Sequence, residues 1–178
     1  MGQESLTPGI IRIYTGEGKG KTTSALGLAL LGVGQGLKVF IVQFLKGRET
    51  GESRAAERLA PDLTLRYFGR PGFVNLPSPT AEDLALVREG WDLARTVIEA
   101  GEHDIVILDE INRVLAHGFL PLNEVLEVLS KRPPQVGVVL TGRQTPPELV
   151  AIADQVIEMH LIKHYYQAGV KARRGIEW

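Results

Sequence analysis

Residues 15–22 read Thr-Gly-Glu-Gly-Lys-Gly-Lys-Thr, a run in which every second position from 16 to 20 is glycine. Glycines at 16, 18 and 20 let backbone N–H groups turn inward around phosphate oxygens, and a helix beginning at Lys21 adds unpaired amide donors and the positive end of its dipole. Lys21 supplies a mobile point charge, and the Thr22 hydroxyl is a hard oxygen ligand for magnesium. Thr15, Gly16, Glu17, Gly18, Lys19, Gly20, Lys21, Thr22 and Thr23 therefore form a candidate site for a nucleoside triphosphate, with Mg2+ (or Mn2+) as its counter-ion. The usual spacing, G-x-x-x-x-G-K-[ST], wants glycine at position 15, where this chain has threonine, so the first glycine is displaced by one residue.

A second candidate element is Ile105-Val106-Ile107-Leu108-Asp109-Glu110, an apolar run that ends in two acids. At the carboxyl end of a parallel strand such acids face the crevice where α/β folds bind ligands, within reach of a metal held on Thr22. Thr22, Asp109 and Glu110 are thus the candidate metal residues. Alone, an acidic pair after a strand is a common helix start, because acids favour the dipole there. Arg143, in Thr141-Gly142-Arg143, ends a later apolar run and is placed to contact phosphate in the same crevice; a solvated loop arginine is the plainer alternative. His103, His117, His160 and His164 show no metal-ligand spacing.

These residues need a scaffold of strands and helices. Ile10–Tyr14 and Lys38–Phe44 are β-rich runs flanking Lys21–Gly34, whose small and apolar residues suit a buried helix, so residues 10–44 read as a βαβ unit with parallel strands. A short helix is expected over Thr50–Ala60 and a strand over Leu63–Phe68. Gly69–Pro79, rich in proline and glycine, reads as a loop of the length that is often functional. It carries two apolar residues that are candidates for exposure, Phe73 and Val74. Thr80, with Asp83 three residues on, caps a helix whose apolar positions recur at helical spacing up to Gly101. Short helices over Ile111–Ala116 and Leu122–Ser130, a strand over Val136–Thr141, a helix opened by Pro146-Pro147 and a strand over Gln155–Leu161 complete the pattern.

The 178 residues fit one domain, 1–178. With 20 basic against 21 acidic side chains the chain has no global field for nucleic acid or an anionic membrane. It has no cysteine, which excludes disulfides, thiolate metal sites and a cysteine nucleophile. No apolar stretch approaches the ~20 residues that span a bilayer, and a cytoplasmic protein is expected.

With both nucleotide elements placed, the chain resembles the corrinoid adenosyltransferases, which attach the adenosyl group of ATP to the cobalt of a B12-type corrinoid. The resemblance runs from about Ile11 onward. It rests on Tyr14 to Thr23, Val42-Gln43-Phe44-Leu45-Lys46-Gly47, Leu108-Asp109-Glu110-Ile111-Asn112, Leu140-Thr141-Gly142-Arg143, and Gly169-Val170-Lys171-Ala172 with Gly175-Ile176-Glu177. It implies a P-loop NTPase-like (RecA-like) α/β fold, with a mostly parallel sheet between helical layers and ATP lying on the loop in the reverse of the usual direction. It also implies that reduced Co(I) attacks the ribose C5′ carbon and the whole triphosphate leaves. Lys21, the loop amides, Arg143 and magnesium would then stabilise the departing charge, with no general base.

The resemblance further implies a homodimer, an external reductase such as a flavoprotein, and an aromatic wedge against the corrin. Phe73 matches the first corrin-facing aromatic and so joins Lys21 as a candidate catalytic residue; ordinary packing is its plainer reading. The second aromatic of some relatives is Asn75 here, and Tyr165 and Tyr166 stand where relatives have Pro-Phe. The basic, aromatic tail Lys163–Trp178 reads as a solvated segment beside the nucleotide site and not as a nucleic-acid surface. Two other functions use the same loop: a conventional phosphotransferase or ATPase, and a nucleotide-switched binding protein whose responsive segment is Gly69–Pro79.

Overall fold

The computed structural model describes residues 9–72, 74–165, 169, 173 and 175. Six strands form one all-parallel sheet: β1 (Ile11–Thr15), β2 (Val39–Phe44), β3 (Leu63–Phe68), β4 (Ile105–Asp109), β5 (Gly137–Thr141) and β6 (Gln155–Glu158), in the order β3-β2-β4-β5-β1-β6. The strands β1 and β2 are parallel but not neighbours, because β4 and β5 lie between them. An all-parallel sheet needs both faces covered, and the buried β-branched runs of β2, β4 and β5 meet that need.

Two helices, α1 (Lys21–Gly34) and α2 (Gly51–Arg58), cover one face; Ala25, Ala29 and Ala56 pack there with Ile41, Ile107 and Val139. On the other face, α3 (Ala81–Ala100) brings Val87, Trp91, Ala94 and Ile98 onto Phe40, Val42, Val106 and Leu108. The same layer holds α4 (Ile111–Ala116), α5 (Leu122–Lys131) and α6 (Pro147–Ile152), through Ile111, Val125 and Leu149. The result is a three-layer α/β/α arrangement of the P-loop NTPase-like type.

Helix α3 starts where the capping pattern predicts: Thr80 and Asp83 form a reciprocal capping box, and Gly101 closes the helix in the left-handed region. Arg70 adds a bidentate pair to the buried Asp83, at 2.7 and 2.9 Å, which ties the start of the 69–79 loop to the cap. The Arg70 hydrogen bonds, helped by those of Thr80, outweigh burial, which would raise it, and hold the Asp83 carboxyl well below the usual range.

Two expectations are corrected. Val74 is half-buried and packs against the α3-side core, because the loop folds back over the sheet end. The last strand stops at Glu158, short of Leu161, because the following backbone turns toward the phosphate loop: Met159 N–H donates to Thr15 and Met159 C=O accepts from Gly18. Phe73, Tyr166 and most of residues 169–177 that carried the resemblance lie outside the described residues.

Candidate functional site

The site lies at the carboxyl ends of the central strands. Ile41, Ile107 and Val139 face α1, so the residues two further on, Gln43, Asp109 and Thr141, point to the same side. Gln43 and Asp109 are register partners. All three are buried, a polar row at the rim of an otherwise apolar face. Helix α1 begins directly over that row.

Asp109 is the centre of the row. Its Oδ1 accepts from Thr22 Oγ1 at 2.8 Å and from Thr141 Oγ1 at 2.6 Å; its Oδ2 accepts from Lys46 Nζ at 2.8 Å and Gln43 Nε2 at 3.1 Å. Four donors use the roughly four lone-pair directions of a carboxylate. A metal bound directly to Asp109 would have to displace one of them. Burial alone would raise the Asp109 pKa, but the Lys46 charge and the hydrogen bonds of Lys46, Thr141 and Thr22 hold it below the ordinary value. Lys46 responds in kind: burial would lower it, and Asp109 raises it.

Glu110 stands apart from this network. Its backbone is left-handed, with φ 66°, and its N–H donates to Thr141 Oγ1 at 3.0 Å. Its carboxylate lines the cleft with one buried oxygen, Oε2, lacking a hydrogen-bond partner. Burial, then the neighbouring charge of Asp109, raises its pKa. A buried, unpartnered carboxylate oxygen facing the same cleft as the Thr22 hydroxyl is what a hard cation needs. Magnesium commonly takes one or two carboxylates plus substrate phosphates, so this donor set fits it. Among the described residues no cluster of three or more His, Asp or Glu side chains offers a metal cage.

The phosphate loop wraps its own lysine. Lys21 Nζ donates to the carbonyls of Gly16 and Gly18, both at 2.7 Å. Burial, then Arg143, lowers the Lys21 pKa, against Glu110 and Glu17. The displaced glycine also has a structural cause. Thr15 is still in β1, and the left-handed turn comes at residue 16, with φ 92°, where a Cβ would lie 2.4 Å from the Met159 carbonyl. Gly142 meets a similar constraint, since a Cβ there would sit 3.0 Å from that of Asn112 at the start of α4.

The cleft has a volume of about 570 Å³ and gathers loop residues 18–23 with Lys46, Glu52, Glu110, Arg113, Arg143 and Gly175. Arg143 reaches it and pairs with Glu17 at 2.9 Å. Thr15 ends β1, its hydroxyl accepting from Thr145 at 2.8 Å. Lys19 donates to the Tyr165 hydroxyl and stands 4.7 Å from that ring's centroid, with the Arg173 guanidinium 5.4 Å from it on the same aromatic. A second cavity of about 370 Å³ lies beside the cleft, bounded by Phe44, Leu45, Gly47, Arg48 and Gly72. Lys46, Glu52, Glu110 and Arg113 belong to the walls of both.

The structure therefore brings together Thr15–Thr23, Asp109, Glu110 and Arg143, which the sequence singles out. It adds Gln43, Lys46, Arg113 and Thr141, to which sequence reasoning assigned no role. Gln43 carried a signal, as the one polar residue in a wholly buried strand. Lys46 lies in the Val42–Gly47 segment that carries the resemblance, though without an assigned role; Arg113 carried no signal, because an arginine on a helix is usually solvated.

A sequence model of the family described as ATP:corrinoid adenosyltransferase BtuR/CobO/CobP matches residues 7–178. A corrinoid adenosyltransferase of Pseudomonas aeruginosa is 37% identical over 171 residues, covering 96% of this chain and 84% of that one. One of Escherichia coli strain K12 is 39% identical over 170 residues, with 96% and 86% covered. The corrinoid adenosyltransferase CobA of Salmonella typhimurium is 36% identical over 170 residues, again with 96% and 86% covered.

Proposed function

The chain belongs to the ATP:corrinoid adenosyltransferase family, and from that premise we propose how its own residues carry the reaction. It is a transferase that moves the 5′-deoxyadenosyl group of ATP to the Co(I) centre of a corrinoid and releases triphosphate. The cobalt lone pair forms the bond to C5′, the C5′–O5′ bond breaks, and its electron pair leaves on the triphosphate. No proton needs to move at the reacting carbon, so the protein's work is positioning and charge stabilisation.

The observation that carries this assignment of roles is the two adjoining cavities with a shared charged wall of Lys46, Glu52, Glu110 and Arg113. On our reading ATP occupies the larger one, with its triphosphate on the loop amides, Lys21 and Arg143. The corrinoid approaches through the smaller one, beside Gly72. Lys21 exchanges the Gly16 and Gly18 carbonyls for phosphate oxygens. Thr22 donates its hydroxyl hydrogen bond to Asp109, which turns the hydroxyl's acceptor side to the cleft. Thr22 and Glu110 would hold Mg2+ (or Mn2+), with Asp109 as the acid that orients Thr22 and not as a direct ligand. When bound, the metal neutralises charge on the triphosphate and its leaving oxygen.

Phe73 is proposed to face the corrin. A homodimer, a flavoprotein electron donor and a cytoplasmic location are carried over as proposals from the resemblance. No helix among the described residues is long and apolar enough to cross a membrane. The test is to incubate the protein with ATP, Mg2+ and chemically reduced cobalamin. The expected products are a cobalt–carbon bond, seen by its absorption spectrum and its lability to light, and intact triphosphate. ADP with phosphate or a phosphorylated acceptor would identify a phosphotransferase instead, and unchanged ATP a binding protein.

A further inference from the structure

Glu17 is electrostatically out of place: it puts a carboxylate into a loop that must hold a polyanion. Its Oε2 lies 2.9 Å from Arg143 Nη1. Arg143 lines the nucleotide cleft together with Lys21, so the ion pair occupies one of the few cations available to a polyphosphate there. The Glu17 charge is also felt by the Lys21 ammonium, whose pKa it helps to raise against burial and Arg143. Nothing in the fold requires the acid, since the Glu17 side chain is 65% exposed and Arg143 is 49% exposed.

The chemistry supplies a reason. When the C5′–O5′ bond breaks, the oxygen that was an ester in ATP takes the electron pair and becomes ionised. The triphosphate therefore carries more negative charge than it did as part of ATP. Every amide, cation and dipole that binds ATP then binds the product more strongly, and turnover stalls unless something opposes it.

We propose that the Glu17 carboxylate is a product-release residue, which competes with the triphosphate for Arg143 and so hastens its departure. The loop amides at residues 16–20 bind the polyanion, while the one acidic side chain among them works against it. Glu17 acts through Arg143 and is a positioning residue in that sense. Because the pair is exposed, its effect is set by the scale of surface ion pairs, roughly two- to fivefold.

This inference rests on the adenosyl-transfer reading, and the experiment separates the two. Binding of inorganic triphosphate in the presence of Mg2+ is titrated calorimetrically, without corrinoid, for the parent, Glu17→Gln, Arg143→Ala and the double variant. Glu17→Gln is expected to bind triphosphate roughly two- to fivefold more tightly, and that gain should vanish in the Arg143→Ala background. In turnover, Glu17→Gln should show a burst of product followed by a steady state slowed by the same factor. Equal or weaker triphosphate binding by Glu17→Gln overturns the proposal. So does a gain of the same size without Arg143, which would make the effect a general field and not competition for the arginine. A parent protein that forms no cobalt–carbon bond would instead count against the transfer reading, whatever the titrations give.

Discussion

Replacing Lys46 by methionine tests whether the buried row at the strand ends is held together as the geometry implies. Asp109 is 1% exposed, and Lys46 is the cation hydrogen-bonded to it, at 2.8 Å. Removing one partner of a buried pair leaves an uncompensated charge and costs about 3–5 kcal/mol. Gln43, Thr22 and Thr141 would still donate to the carboxylate, and Lys46 itself is partly exposed, so the lower end, about 3 kcal/mol, is expected. For a chain of this length each kcal/mol moves the melting temperature roughly 2–4 °C, which gives a fall of about 6–12 °C at neutral pH.

The pH dependence has a definite sign. In the parent the folded Asp109 pKa lies below its ordinary value, so its contribution is present above the unfolded pKa and is lost as pH falls through the folded one. In Lys46→Met, burial is no longer opposed by the lysine, and the folded pKa should rise above the unfolded one. The penalty then falls as acid protonates Asp109, and the two melting curves converge on the acid side. Calorimetric melts in metal-free buffer across pH measure this, and Lys46→Met with Asp109→Asn should recover much of the loss. A single variant melting within about 2 °C of the parent at neutral pH, under 1 kcal/mol for this size, would refute the reasoning.

Lys21→Ala should reduce transfer severely, by at least about tenfold for each 1.4 kcal/mol of leaving-group stabilisation lost, with little change in melting temperature; near-normal turnover would remove the loop lysine from the mechanism. Glu110→Gln should raise the Mg2+ concentration at half-maximal ATP binding, because a neutral amide is a weaker ligand for a hard cation. An unchanged midpoint would make this acid structural. Phe73→Ala should impair the reaction far more with Co(II) and a protein reductant than with preformed Co(I), while sparing ATP affinity. Equal losses in both assays, together with a destabilisation of about 3–5 kcal/mol, would mark Phe73 as a packing residue.

Much of the scaffold is local and was therefore legible in the chain. Helical spacing and the Thr80–Asp83 box define α3, since capping uses atoms within one turn. Strands β2 and β4 show themselves as apolar runs, Val39–Val42 and Ile105–Leu108, the pattern of a sheet covered on both faces. The glycine at 16 sits at a left-handed turn directly after β1. The phosphate loop itself is contiguous, so composition and order suffice to propose it.

What the sequence could not order was the sheet. Parallel strands are joined by crossovers that carry no record of which strands become neighbours, and so β1 and β2 came out separated by β4 and β5. That order sets Gln43, Asp109 and Thr141 side by side under Thr22 and Lys46, from segments far apart along the chain. It made Asp109, a candidate metal residue, the hub of four hydrogen bonds and left Glu110 with the unpartnered oxygen. The pairing of Arg143 with Glu17 across 126 residues is likewise a product of the fold alone. Residue types and short spacings determined that the chain can bind a triphosphate; long-range packing decided which acid meets which cation, because charge pairing depends on distance in space and not along the chain.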